Sequence, residues 1–257
     1  MSGGSLSQEE IDALMNAANA PAPDAVVPAP VDPSGDSAAL AGQMTAMERD
    51  TIGEIGNICM SSAATTLSAL LGRPVQITTP QVHLVDEVEI RNQFAGPAVV
   101  VLIEYTDGID GRNVFFLTTR DASVVADLMM GGEGVANDEI DELHSSAVAE
   151  AMNQMMGSAA TAMAEMLGRR VDISAPTVTI LDLREEGFAG SLGFDGPLVR
   201  TAFQLRVGDL LDTSLMQVMP LDLARSLVEA LTTVAPTAAA PAPAAPAPAV
   251  PDRKSVV

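Results

Sequence analysis

A glutamate and an asparagine recur at the same spacing in two separate parts of the chain. Glu54 precedes Asn57 by three residues, and Glu150 precedes Asn153 by the same interval. Residues three apart on a helix lie on one face, so each carboxylate would project beside an amide. The chemistry open to such a pair is ion pairing by the carboxylate and hydrogen bonding by the amide. A single pair of this kind on an exposed helix is close to background, so its repetition is the feature that counts.

The two pairs belong to an internal repeat. Residues 50–80 align with residues 146–176 at an offset of 96, with thirteen identities that include both pairs. Neighbouring positions differ, such as Arg49 against Ser145. Asparagine is also a mediocre helix former, so two copies in mid-helix carry a small cost. On the residues alone, a functional pair and an inherited exposed face both stay open.

The repeat predicts two halves of similar structure, each beginning with a long helix. The helices are expected at about 45–71 and about 137–167, ending at Gly72 and Gly168. Extended segments are predicted at 75–90, 97–105, 113–119, 171–183, 198–207 and 213–220, with a hairpin turn at 107–112 and shorter helices from Asp121 and over 221–233. The predicted fold class is α+β: a duplicated, pseudo-twofold domain with an antiparallel sheet and two long helices.

Helical geometry separates each long helix into two faces. At about 100° per residue, the expected exposed faces carry Asp50, Glu54, Asn57 and Ser61 in the first half, and Ser146, Glu150, Asn153 and Gly157 in the second. The expected buried faces carry Ile52, Ile55, Cys59, Ala63 and Leu70, and Val148, Ala151, Met155, Ala159 and Met166. Cys59 is therefore predicted to be a core thiol rather than a nucleophile.

Composition excludes several classes of function. The 257 residues contain 34 acidic and 13 basic side chains, a net charge of −21, which argues against binding nucleic acid or anionic lipid. One cysteine and two histidines, His83 and His144, offer no metal-ligand spacing, so no metal site is predicted. The chain has no apolar run of about 18 residues, so no membrane insertion is expected and a soluble, cytoplasmic protein is predicted.

The spacing around the two pairs resembles a known signature. Asp50, Glu54, Asn57 and Pro80 have the same spacing as Ser146, Glu150, Asn153 and Pro176. This double pattern resembles the two active-site motifs of the CheC-type phosphatases, and the resemblance covers about residues 44–234.

The resemblance implies a specific reaction. The substrate of such phosphatases is the aspartyl phosphate of the response regulator CheY, whose own site supplies Mg²⁺ and a lysine, so the chain would need no cofactor of its own. Asn57 and Asn153 would orient the attacking water, as a glutamine does in GTPases. Glu54 and Glu150 would pair with the regulator's lysine. Asp50 and Ser146 would be supporting positions.

Residues 1–17 form a short amphipathic segment. Ser7 and Glu10 fit a capping box, and Leu6 with Ile11 fits a hydrophobic staple. Leu6, Ile11, Leu14 and Met15 make an apolar side. About ten residues are too few for a stable isolated helix, so the segment is either an incidental tail or a peptide that folds on a partner. It resembles the CheY-binding peptide of flagellar switch proteins of the FliM and FliY types.

The composition predicts four segments. These are the peptide 1–17, a disordered Ala/Pro-rich linker 18–43, a CheC-like domain 44–234 with repeats at about 45–133 and 137–234, and a second Ala/Pro-rich linker 235–257. This order resembles the FliY type, which implies a place at the cytoplasmic face of the flagellar basal body and FliM, FliG and FliN-like partners. Switch proteins of that type normally end in a FliN-like domain, which is expected to be missing here. The alternatives are a non-catalytic FliM-like scaffold that binds CheY and a stand-alone CheC-type phosphatase.

Overall fold

The computed structural model describes residue 40 and residues 42–78, 80–94, 96–137, 139–184 and 187–233. The predicted peptide 1–17, the predicted linker as far as residue 39 and the predicted linker 235–257 lie outside the described residues. Those three interpretations therefore stay predictions.

Six helices and eight strands make up the described part of the chain. The helices are α1 (Ala46–Leu71), α2 (Glu87–Arg91), α3 (Thr119–Met129), α4 (Glu142–Leu167), α5 (Phe188–Ser191) and α6 (Leu221–Thr233). The strands are β1 (Val75–Ile77), β2 (Gln81–Val85), β3 (Pro97–Asp107), β4 (Gly111–Thr118), β5 (Asp172–Ile173), β6 (Thr177–Asp182), β7 (Leu198–Val207) and β8 (Leu211–Pro220). This confirms the predicted α+β class.

Both long helices have complete end signals. In α1 the Thr45 hydroxyl accepts a hydrogen bond from the Glu48 backbone N–H at 3.1 Å, and the Glu48 carboxylate accepts one from the Thr45 backbone N–H at 2.7 Å. This reciprocal capping box satisfies backbone donors that a helix start otherwise leaves unpaired. The helices end at Gly72 (φ 61°) and Gly168 (φ 59°), both in the left-handed region that favours glycine. Both predicted ends are confirmed.

The predicted start of α4 at about residue 137 is wrong, because the helix begins at Glu142. The preceding backbone is bound to α3 instead: the Asp127 carboxylate accepts hydrogen bonds from the N–H groups of Gly134 and Val135 at 2.7 and 2.9 Å. The Asp141 side chain then accepts from the His144 N–H at 2.8 Å and caps the helix.

The predicted extended segment 75–90 is also partly wrong. Its last residues form the short helix α2, because the Asp86 side chain accepts a hydrogen bond from the Glu89 N–H at 3.0 Å and caps a helical turn. Ile90 is fully buried beneath this turn. The apolar residue Ile90, which a strand would also have buried, is thus buried by a helical turn instead.

The sheet joins the two halves by exchanging strands. Its order is β1-β7-β8-β4-β3-β5, with β2 also paired to β7 and β6 also paired to β3. All of these pairings are antiparallel. The strands that follow α1 therefore pair with the long hairpin of the second half, and the strands that follow α4 pair with the hairpin of the first. Neither half could complete its sheet alone.

Both faces of the sheet are covered. Side chains alternate along β4, so that Phe115 joins the large core under the long helices while Phe116 joins a smaller core on the opposite face. In the smaller core the Phe116 ring lies 5.8 Å from Phe94 and 6.2 Å from Phe188, centroid to centroid. The long helices thus keep one face for solvent, because their other face packs on the sheet and on each other.

The pseudo-twofold relation is visible where α1 meets α4. The hydroxyl oxygens of Ser62 and Ser158, which are equivalent positions of the repeat, lie 2.7 Å apart in a shared hydrogen bond. An atom that contacts its own repeat equivalent must lie near the axis that relates the two halves. Glu54 and Glu150 each precede these serines by eight residues, or about 12 Å along the helix.

Candidate active site

The predicted site residues lie on the solvent-facing sides of α1 and α4. The exposed members are Asp50 and Glu54 on α1 and Ser146 and Glu150 on α4, while Asn57 and Asn153 are half-buried. Each amide therefore lies at the border between the exposed face and the packed face. Packed neighbours restrict the rotamers of a half-buried side chain more than those of an exposed one.

The opposite faces pack in the core, with two corrections. Ile55 and Cys59 are buried as predicted, but Leu70 is 37% exposed and Met166 is only partly buried. The buried positions recur mainly every four residues, as in Leu67 to Leu71. Because a helix turns once in about 3.6 residues, a row with a spacing of four drifts around the axis. By the last turn of each helix the buried row has moved around the axis. Leu70 and Met166 therefore lie next to this row rather than in it, and they are less buried than predicted.

The predicted Pro80 lies beside the first site. A Cβ built on Gly56, the residue before Asn57, would be 3.6 Å from the Pro80 ring and 3.1 Å from the ring of Phe203. The absence of a side chain at Gly56 lets the start of β2 approach α1 closely. Pro176 is half-buried in the second half, where Met152 occupies the position equivalent to Gly56.

The residue one turn beyond each asparagine is small, as predicted. The Ser61 hydroxyl donates to the Asn57 backbone carbonyl at 2.7 Å, so it bonds within its own helix. Gly157 is exposed, and a Cβ there would have no atom within 4 Å. The second helix therefore has open space one turn beyond Asn153, and on the first the small Ser61 side chain is held against its own helix one turn beyond Asn57.

The two sites differ in their local hydrogen bonds. The Gln154 side-chain amide donates to a carboxylate oxygen of Glu150 at 2.7 Å. The Ser146 hydroxyl donates to the Glu142 backbone carbonyl at 2.8 Å. Within the described part of the chain, no hydrogen bond or ion pair engages the side chain of Glu54.

Sequence patterns gave no role to two exposed apolar side chains near these faces. Met47 is 74% exposed and Leu143 is 63% exposed, three residues before Asp50 and Ser146 respectively. They are repeat equivalents, so the offset of 96 was a signal that could have identified them. Ile58, 38% exposed, adds apolar surface at the first site only.

The one cysteine and the two histidines do not form a reactive or metal-binding cluster at these faces in the described part of the chain. Burial raises the pKa of the Cys59 thiol to about 12, so the thiolate is scarce at neutral pH. The ring of His144 bonds to Asp141 through Nδ1 at 2.6 Å, at the start of α4. No group of three or more His, Cys, Asp or Glu side chains among the described residues could hold a metal ion. None of the described helices is long and apolar enough to span a bilayer.

Comparison with known proteins shows that both faces lie inside segments that match a family model. The profile of the CheC-like family matches residues 47–84 and 143–180, which contain the two Glu/Asn pairs. The crystal structure of Thermotoga maritima FliY is 43% identical and superposes with a TM-score of 0.70, covering 74% of this chain and 98% of that one. The chain belongs to the CheC-like family. The sequence-based resemblance to this family is thereby confirmed.

Two curated proteins are similar to this chain over different lengths. The flagellar motor switch phosphatase FliY of Bacillus subtilis is 43% identical over 232 residues, which are 90% of this chain and 58% of that protein. The CheY-P phosphatase CheX of Thermotoga maritima is 32% identical over 124 residues, which are 48% of this chain and 74% of CheX. The chain thus spans somewhat more than half the length of the Bacillus protein.

More distant CheC-like folds share the architecture alone. FliM in the crystal structure of the Helicobacter pylori FliG–FliM complex is 12% identical, with a TM-score of 0.58 over 72% of this chain and the whole of that one. At that identity the likeness extends to the fold and no further.

Proposed function

We propose that this chain binds phosphorylated CheY and hydrolyses its aspartyl phosphate, as a phosphatase of the flagellar motor switch. The observation that carries the proposal is the repeated Glu/Asn pair on the solvent-facing sides of α1 and α4, within the segments that match the CheC-like family. The names of the similar proteins support the proposal: the flagellar motor switch phosphatase FliY supports the activity and the place, and the CheY-P phosphatase CheX supports the substrate.

The proposed reaction is a hydrolysis at phosphorus. The oxygen of a water molecule attacks the phosphorus atom, and the bond from phosphorus to the aspartyl oxygen breaks. The products are inorganic phosphate and the free aspartate of CheY. Mg²⁺ and a lysine, both belonging to the CheY site, would neutralise the charge on the phosphoryl group. This division of labour requires no nucleophile, metal or cofactor from the present chain.

The asparagines would contribute geometry. An amide that reaches the phosphoryl group can accept a hydrogen bond from the water and hold it in line for attack, as the glutamine of GTPases does. The half-buried position of Asn57 and Asn153 favours this role, because packing on one side limits the motion of the amide. Positioning of this kind is a large source of rate acceleration in phosphoryl transfer.

The glutamates would dock the partner. Glu54 and Glu150 lie one turn before the asparagines and are exposed, so each can pair with the lysine of CheY when the amide enters its site. The chain's net charge of −21 would also attract a lysine-bearing surface and speed association. The negative charge that favours binding would thus come from this chain, and the cations beside the phosphoryl group would come from CheY.

The anchoring of α1 supports a role for the N-terminal segment. Arg225 of α6 donates to the Gln43 backbone carbonyl at 2.6 Å and pairs with Glu48 at 3.4 Å, while Met44 is buried. The last residue of the predicted linker, Gln43, is therefore held at a fixed point. The helix that starts just after it, at Ala46, reaches Glu54 after eight residues, or about 12 Å along its axis. We propose that residues 1–17 capture CheY and that this tether raises its local concentration near the sites.

The proposal extends to location and partners. A phosphatase of this kind would act at the cytoplasmic face of the flagellar basal body, beside FliM, FliG and FliN-like switch proteins. The non-catalytic alternative, a FliM-like scaffold, shares the fold and would bind CheY without releasing phosphate. The stand-alone CheC-type alternative would not associate with switch proteins.

The decisive experiment measures phosphate release from phosphorylated CheY. The Asn57→Ala plus Asn153→Ala variant should lose at least about 100-fold in catalysed rate, because the water is no longer held in line. Its binding of CheY, followed by fluorescence anisotropy, should persist because both glutamates remain. Retention of the full catalysed rate by this variant would exclude the water-positioning role.

The matched control is Thr65→Ala plus Thr161→Ala. These threonines are exposed repeat equivalents, eight residues beyond the asparagines on the same helices, and each hydroxyl bonds only to its own helix. The control variant should keep the wild-type rate. A scaffold without catalysis predicts that wild type and both variants release phosphate no faster than CheY alone.

A further inference from the structure

The two proposed sites present their docking glutamates in different states. On α4, Gln154 lies four residues after Glu150 and donates to its carboxylate at 2.7 Å. The equivalent position on α1 is Ile58, which has no hydrogen-bonding group in its side chain. Residues four apart on a helix are direct neighbours, so this difference acts on the glutamate itself.

A second difference reinforces the first. The position one turn before the glutamate is Asp50 on α1 and Ser146 on α4. The Ser146 hydroxyl is already engaged by the backbone carbonyl of Glu142 at 2.8 Å. At these two equivalent positions the first face therefore presents two exposed carboxylates, Asp50 and Glu54, and the second presents one, Glu150. The other acidic residue on the second face, the exposed Glu142, lies two turns before Glu150. Within the described residues, no hydrogen bond or ion pair engages the side chain of Asp50.

These contacts have opposite effects on pairing with a cation. Asp50 and Glu54, four residues apart on one face, repel each other, and a lysine placed between them relieves that repulsion. At the second site a lysine must compete with the Gln154 amide for Glu150, and the carboxylate must leave its present rotamer or share its oxygens. Binding of a lysine is thus favoured at the first site. At the second site part of the binding free energy is used to displace the Gln154 amide from Glu150.

We propose that the two sites are unequal, with the site of Glu54 and Asn57 binding the phosphorylated partner more tightly than the site of Glu150 and Asn153. Gln154 is the positioning residue that weakens the second site, because it holds Glu150 away from the partner's lysine. This inference rests on the proposed function, since it assigns both glutamates to docking.

Single-site variants of the full chain isolate each site. Asn153→Ala leaves only the first site active, and Asn57→Ala leaves only the second. With phosphorylated CheY as substrate, KM should be about two- to fivefold lower for Asn153→Ala, as expected for exposed ion pairs, with similar kcat. That advantage should shrink as salt is added, because exposed charges are screened.

Exchange of the residue four positions after each glutamate tests whether that residue causes the difference in KM. In the Asn57→Ala background, Gln154→Ile or Gln154→Leu should lower KM by about twofold and leave kcat unchanged. The leucine variant controls for the weaker helix propensity of isoleucine. In the Asn153→Ala background, Ile58→Gln should raise KM. A merely structural role for Gln154 would change the thermal midpoint rather than KM alone.

The outcomes separate the inference from the function on which it rests. If the double asparagine variant is inactive but the two single-site variants have equal KM, the function stands and the inequality is wrong. If Gln154→Ile and Gln154→Leu both leave KM unchanged, Gln154 does not set the ranking. If the double asparagine variant keeps the full rate, the proposed function itself fails.

Discussion

On the sides where α1 and α4 face the core, the two helices bury equivalent residues. Each of the eight buried positions of α1, from Ile52 to Leu71, has a buried counterpart 96 residues later in α4. On their solvent-facing sides the same helices differ around the shared Glu/Asn pairs, with Asp50 against Ser146 and Ile58 against Gln154. The contrast lies within single helices, so it cannot come from a difference in fold.

Packing explains the shared face. A buried position must fill a fixed volume against the sheet and the other helix, so a change in one half is tolerated only if shape and volume are kept. An exposed position has no such constraint and is free to change. The identity of Glu54 with Glu150 and of Asn57 with Asn153, on the side where neighbours diverge, is what a functional requirement predicts. The exposed Thr65 and Thr161 are identical too, so the Glu/Asn pairs stand out by their chemistry, a carboxylate beside an amide, as well as by their identity.

The largest expected effect is on stability, and it tests the buried face. Met155, 1% exposed, packs in the core. Met155→Ala should lower the free energy of unfolding by about 2–5 kcal/mol, through lost burial and a residual cavity. Its exposed neighbour provides the control: Gln154→Ala should change stability by no more than about 0.5 kcal/mol. Urea denaturation followed by circular dichroism measures both, and equal losses would show that the two faces are not energetically distinct.

A smaller effect is expected at the axis. Ser62 and Ser158 share a hydrogen bond of 2.7 Å between equivalent residues. A double-mutant cycle with Ser62→Ala and Ser158→Ala should give a coupling free energy of about 0.5–1.5 kcal/mol. Each single variant removes the bond between the two hydroxyls, and the Ser62 hydroxyl keeps only its longer bond of 3.4 Å to the Ser158 backbone carbonyl when Ser158 is replaced. The double variant removes both hydroxyls. Strictly additive losses would mean that the helices do not meet at this pair in solution.

The smallest expected effect is on the stability of the protein in acid, and it arises at the starts of the two long helices. Hydrogen bonds from backbone N–H groups lower the pKa of Glu48, which bonds to Thr45, and of Asp141, which bonds to His144. A carboxylate with a lowered folded pKa stabilises the protein above its unfolded pKa of about 4. That contribution is lost as pH falls through the folded value.

The test compares the starts of α1 and α4 directly. Glu48→Gln and Asp141→Asn should each reduce the difference in urea midpoint between about pH 5 and about pH 2.5, because neither replacement titrates. Similar reductions would show that the two helix starts respond alike to acid. An unchanged difference for either variant would show that the corresponding carboxylate does not contribute to acid sensitivity.

Much of the fold could be predicted from the sequence, because local signals were strong. Gly72 and Gly168 fixed the helix ends, and the periodicity of 198–207 matched β7 to the residue. The start of α4 could not be predicted, since it depends on Asp127 of α3 binding the backbone of Gly134 and Val135. The exchange of strands between halves was equally out of reach, because a repeat does not reveal which half a strand pairs with.

The candidate site was predictable in outline and not in its details. The spacing of Glu54 and Asn57 predicted that both lie on an exposed face. In the structure Glu54 is exposed, whereas Asn57 is half-buried at the edge of that face. The bond between Gln154 and Glu150 depends on side-chain rotamers, which residue spacing leaves undetermined. The closeness of Pro80 to Gly56 depends on the distance between the start of β2 and α1, a tertiary distance without a local signal.

The most direct test of the central claim follows phosphoryl loss from bound CheY under single-turnover conditions, with this protein in saturating excess. Wild type should release phosphate much faster than CheY alone. The Asn57→Ala plus Asn153→Ala variant should bind CheY yet release phosphate at about the rate of CheY alone, a loss of roughly 100-fold or more. If the bound regulator loses its phosphate at the wild-type rate in that variant, the two asparagines do not position the water and the account is wrong.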